Sequence, residues 1–107
     1  ISNTGRKSLI MFLKETRLAK FFPKGTIFAA DNHKTHKQKS KKEILKKYLQ
    51  NKNFEKIVVV GDSSDDIELA SVDRNSVSYL YAHPWKKFQD CKADYKINDL
   101  REVLKEL

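Results

Sequence analysis

Three carboxylates, Asp62, Asp65 and Asp66, fall within five positions in the stretch IVVVGDSSDDIELA, residues 57 to 70, of a chain whose formal charge is +8. Gly61 permits an unusual backbone conformation or close approach to a ligand at the end of the preceding apolar run. Ser63 and Ser64 are good helix caps, and Asp65 and Asp66 would lie in the first helical turn, where the dipole favours negative charge. A well-capped strand-to-helix turn explains Asp65. It does not readily explain Asp62 and Asp66 together, because two carboxylates converging on one point repel unless a proton or cation separates them. Magnesium suits such a pair, since it takes one or two carboxylates and fills its remaining positions with water and phosphate oxygens.

The other residues able to do chemistry are scattered. Lysines crowd HKTHKQKSKKEILKK, residues 33 to 47, a segment readable as a nucleic-acid footprint or, more simply, as a solvated loop leading into the exposed face of a helix. His33 and His36 stand at i, i+3 spacing at the start of this run without a cysteine or third histidine nearby, so zinc is not expected. His83 ends a predicted strand and could touch substrate. Cys91 has no identified base partner and reads as a packing residue.

The elements that must position these residues follow from hydrophobic pattern. Ser2 and Asn3 are placed to cap a helix whose apolar face is Leu9, Ile10 and Leu13, closed by the punctuation FFPKG. TIFAAD, residues 26 to 31, reads as a short strand. A helix begins at about Lys41, with Ile44, Leu45, Tyr48 and Leu49 on one face. IVVV lacks alternation, as expected of a strand covered on both faces. A short helix starts near Asp65, and SVSYLYA, residues 76 to 82, makes a strand. Pro84 and Trp85 open a helical segment, DYKI is a last strand, and NDLREVLKEL is an amphipathic helix on Leu100, Val103, Leu104 and Leu107 with Asn98 as N-cap. Alternating strands and helices imply an α/β fold with a mostly parallel sheet, whose ligands lie beyond the carboxyl ends of the strands. Ser2, Asp31, Asp62 and His83 would share that rim.

The chain's 107 residues suit a single domain, residues 1 to 107, or part of one. No apolar run approaches the length of a membrane span. The one cysteine cannot form an internal disulfide, and with no signal-peptide pattern the expected compartment is the cytoplasm.

GDSSDDIELA resembles the fourth motif of the haloacid dehalogenase superfamily of phosphohydrolases, in which Gly-Asp and an Asp four positions later hold magnesium. ISN resembles the end of that family's second motif, KSKKEIL its third, and ADYKINDLREVLKEL its usual ending. The resemblance is strongest to the phosphoglycolate-phosphatase-like branch. It implies a Rossmann-like three-layer α/β/α sandwich, with Asp62 and Asp66 as magnesium ligands and Ser2 and Asn3 on the phosphoryl group. Lys41, or in another register Lys39, would balance charge. The expected activity is hydrolysis of a phosphate monoester, most simply a phosphorylated small molecule, through an aspartyl-phosphate.

The family's first motif, an Asp-x-Asp on the central strand, has no counterpart in this sequence. Loss of that strand would leave two facing edges with unpaired backbone groups. The resemblance therefore implies that the chain is the C-terminal portion of a larger protein, or that another segment fills the gap, and that alone it does not turn over substrate. Spacing leaves no room for a large cap between the second and third motifs. The alternative is a non-catalytic basic module that keeps the fold and binds nucleic acid or a protein partner through residues 34 to 47.

Overall fold

Strand-forming and helix-forming segments alternate along the chain much as their residue patterns require. The computed structural model describes residues 1–23, 25–32, 37–38 and 40–107, which fall into two compact units, Ile1–Tyr48 and Leu49–Leu107. Lys39, His33 and His36 lie outside the described residues. The chain is α/β, with a three-stranded parallel sheet in its second unit. Among the described residues no helix is long and apolar enough to cross a membrane.

In the first unit, helix α1 (Arg6–Glu15) has Gly5 as its N-cap with no side-chain cap bond, so Ser2 and Asn3 do not cap it as expected. Ser2 instead forms an isolated parallel bridge with Ala29, its N–H on Phe28 O at 2.9 Å and its O accepting from Ala30 N at 2.7 Å. The expected strand over 26 to 31 is reduced to that bridge, followed by β1 (Asp31–Asn32), which pairs antiparallel with β2 (Lys37–Gln38). Helix α1 stops before the Pro and Gly that were expected to end it. Arg17 takes the left-handed conformation, φ 61°, and Leu18 N returns to Leu13 O at 2.9 Å, a termination more often assigned to glycine. Helix α2 (Lys41–Leu49) begins where expected. Its first turn is tied by Ser40 Oγ accepting from Glu43 N at 3.1 Å, half of the capping-box pattern that S-x-x-E encodes.

In the second unit, β3 (Ile57–Gly61) lies parallel to β4 (Ser76–Tyr81), and β4 lies parallel to β5 (Tyr95–Ile97), with Gly61 opposite Leu80 and Tyr81 opposite Ile97. Helix α3 (Ser64–Ile67) and a 3-10 helix, Glu68–Val72, connect the first two strands. Tyr79 and Leu80, both 0% exposed, occupy the centre of the core with Val59, Ile67, Leu69, Ala82 and Ile97. Val60 is 42% exposed, so β3 is not covered on both faces, contrary to the expectation from its unbroken apolar run.

Two further expectations fail in this unit. Residues 83 to 86 form a turn rather than a helix. The last segment is a 3-10 helix, Leu100–Glu106, capped by Asp99 rather than Asn98. Leu100, Leu104 and Leu107 are exposed, because three residues per turn do not gather the 100, 103, 104, 107 set onto one buried face as an α-helix would.

Polar contacts anchor this terminal helix instead. Glu106 accepts from the buried Tyr79 hydroxyl and pairs with Lys56 at 2.7 Å. The Lys56 bond, then the Tyr79 bond, hold the Glu106 carboxyl below its ordinary 4.5, while burial and then Glu106 push the Tyr79 phenol above its ordinary 10.0. A depressed carboxyl contributes stability above its unfolded value and loses it as pH falls through the folded one; a raised phenol contributes below its unfolded value and loses it as pH rises. Stability from this network is therefore expected to be flat between about pH 5 and 9 and to fall on both sides. In denaturant titrations across pH, Glu106→Gln should flatten the acid limb and Tyr79→Phe the alkaline one. Unchanged limbs in both variants would show that the network does not titrate with folding.

Candidate functional site

The carboxyl end of β3 delivers the residues that the sequence singles out. Gly61 is half-buried, and Asp62, the next residue, is exposed and makes no hydrogen bond or ion pair with the described residues. Ser63 is the N-cap of α3, and its exchange with Asp66 is reciprocal. Asp66 Oδ2 accepts from Ser63 N at 3.3 Å and from Ser63 Oγ at 2.9 Å, while Ser63 Oγ accepts from Asp66 N at 3.4 Å. This is a capping box with aspartate in the place of the usual Glu or Gln. Asp65, in the same turn, is exposed.

Gly61 is what lets Asp66 lie where it does. A Cβ on residue 61 would stand 2.1 Å from Asp66 Cβ and 2.5 Å from its Oδ2. The side chain of Asp66, a residue 9% exposed, is thus laid directly against the backbone that leads into Asp62. Asp62 and Asp66 lie on one tightly turned segment, with Asp66 Oδ2 turned onto Ser63 N and Oγ. Among the described residues no group of three or more His, Cys, Asp or Glu could hold a metal. A donor set of two carboxylates fits magnesium, which keeps several waters, better than ions that demand a full protein cage.

The remaining expected site residues belong to the first unit. Ser2 is half-buried, and its Oγ accepts from Thr4 N at 3.1 Å, a local turn that already employs the hydroxyl. Asn3 is exposed. Lys41 is the first residue of α2 and is half-buried.

Several contacts around these residues have no trace in the sequence expectations. Gln89 Oε1 accepts from Ser64 N at 3.0 Å, satisfying an amide at the start of α3 from 25 residues away. Asp94 Oδ2 accepts from Ser78 N at 2.8 Å and Ser78 Oγ at 3.0 Å, which locks β4 just ahead of its pairing with β5. Tyr81, His83 and Trp85 form a continuous aromatic array at the far end of β4. Here a signal existed: alternate residues of an extended strand share a face, and His-Pro-Trp is a natural turn with proline at its second position.

Compared with family models, with curated proteins and with solved structures, the chain matches none.

Proposed function

We propose that this chain is part of a magnesium-dependent phosphate-monoester hydrolase of the haloacid dehalogenase type, built on that family's three-layer α/β/α core. The observation that supports the reading is the seat of the buried Asp66 against Gly61, the residue before the exposed Asp62, at the carboxyl end of a parallel strand. Parallel sheets bind ligands at that end, and a cation there relieves the repulsion between two ionised acids. Asp62 and Asp66 would hold the magnesium. When bound, the ion supplies positive charge against the phosphoryl oxygens. By resemblance alone, Lys41 or Lys39 balances charge, and Ser2 with Asn3 binds the phosphoryl group. The attacking aspartate lies outside this chain, since no Asp-x-Asp occurs in it.

The test is phosphate release from p-nitrophenyl phosphate by this chain alone and by the chain joined to an N-terminal strand that carries Asp-x-Asp. Hydrolysis is expected only in the longer form, and a chelator or Asp62→Asn should abolish it. Turnover that survives chelation, or turnover by the chain alone, contradicts the mechanism. Steeply salt-dependent polyanion binding with no magnesium requirement and no hydrolysis would favour the basic binding module. Thirteen Lys and Arg against three Asp and Glu in residues 1–48 supply the charge that this rival needs.

A further inference from the structure

Trp85 is the only tryptophan of the chain and is 80% exposed. Leaving so large an aromatic surface in water is unfavourable, yet the local structure holds it there. The turn that carries it is closed by Lys86 N on His83 O at 2.8 Å, with Pro84 at the second position. Ala82 N bonds Ile97 O at 3.1 Å, and Asn98 Nδ2 bonds Ala82 O at 3.0 Å, fixing the base of the turn to β5. The His83 ring stacks on Trp85 at 5.0 Å and 11°, and Tyr81 meets His83 edge-on at 5.5 Å, with its hydroxyl 3.3 Å from His83 Nδ1. One indole face is therefore occupied by a ring that is itself braced. The opposite face is open.

We propose that this open face of Trp85 stacks a nucleobase, and that the ligand is a nucleoside monophosphate. A flat aromatic surface held in advance stacks a base with little ordering cost, and any base presents a suitable π-face. The exposed Lys86 and Lys87 follow directly in the chain and offer positive charge to a phosphate. Gly61 lies opposite Leu80, so Asp62 and Tyr81, the residues that follow them, both leave the carboxyl end of the sheet. A mononucleotide is favoured over a nucleic-acid strand by charge: residues 49–107 hold eleven Asp and Glu against nine Lys and Arg, so a strand would lay several phosphates across a net acidic unit. The identity of the ligand's phosphate as the group hydrolysed rests on the function proposed above; the stacking does not.

The experiment is a titration of Trp85 fluorescence in the full chain, excited at the red edge of indole absorption, where adenine is transparent. The probes are adenosine, adenosine 5′-monophosphate, ribose 5-phosphate and single-stranded polyadenylate. Saturable quenching is expected from adenosine even without magnesium, tighter quenching from the monophosphate, and none from ribose 5-phosphate. Calorimetry with Trp85→Ala should show affinity for the monophosphate lowered on the order of tenfold or more, with Trp85→Phe largely restoring it. The side chain is exposed, so both variants should melt like the parent. Absent or unsaturable quenching by adenosine overturns the proposal, as does equal binding by Trp85→Ala. Tighter binding of polyadenylate than of the monophosphate, per site, replaces the mononucleotide with a single strand. Because adenosine carries no phosphate and the titration omits magnesium, failure of the hydrolase reading leaves this result standing, and the reverse also holds.

Discussion

Gly61→Ala is expected to be the most damaging single-methyl change in the second unit, costing about 3 kcal/mol of unfolding free energy. The new Cβ would stand 2.1 Å from Asp66 Cβ, a separation no pair of non-bonded carbons tolerates. Both atoms are fixed to backbone, one at the end of β3 and the other in the first turn of α3, so no rotamer change relieves the contact. The helix must move, and with it go the Ser63 capping box and the packing of the buried Ile67. Urea unfolding checks the size of the effect. A second variant checks its cause. Asp66→Ala keeps the offending Cβ and should not rescue Gly61→Ala, whereas Asp66→Gly removes it and should recover part of the loss despite its own helix cost. Full tolerance of Gly61→Ala, or equal rescue by Ala and Gly at 66, would show that residue 66 does not occupy the space above Gly61.

The same contact shows what the sequence could and could not say. The β-branched run, the Gly-Asp step and the Ser-Ser-Asp-Asp caps all act over a few residues, and β3, Ser63 and α3 stand where those local rules place them. The start of α2 was legible for the same reason, and Ser40 with Glu43 could have sharpened it. Failures occur where distant residues decide. Ser2 has the chemistry of a helix cap, but pairing with Ala29 takes its backbone, and Gly5 begins the helix. Asn98 was placed as a cap by type alone; its side chain instead holds Ala82, sixteen residues away. Leu100, Val103 and Leu104 have α-helical spacing, yet Glu106 bonded to Tyr79 and Lys56 fixes a tighter helix that leaves Leu100 and Leu104 exposed. Among the expected site residues, Asp62 and Asp66 share one turn because only three residues of chain lie between them. Gln89, which completes the cap of α3, was invisible because nothing local ties residue 89 to residue 64.

Magnesium should stabilise the chain by about 2.7 kcal/mol at a hundredfold excess over its dissociation constant, and the two aspartates should fail in different ways when neutralised. Asp62 is exposed and bonds to no described residue, so in metal-free solution Asp62→Asn removes only two small opposing terms. It loses repulsion from Asp65 and Asp66 and loses attraction to the helix N-terminus, for a net change within about 0.5 kcal/mol. With magnesium the same variant should forgo nearly all of the stabilisation if Asp62 is a ligand, because an amide oxygen lacks the charge that would hold the ion. Asp66→Asn should lose that stabilisation too, but it also weakens the bonds from Ser63 N and Oγ and so costs about 1 kcal/mol without metal. Thermal unfolding of the parent and both variants, each with magnesium and with chelator, separates the two roles. An Asp62→Asn chain that melts like the parent at saturating magnesium would leave Asp62 without a ligand role. An Asp66→Asn chain that loses stability equally with and without magnesium would reduce Asp66 to a helix cap, and the repulsion between the two acids would then be relieved by solvent rather than by an ion.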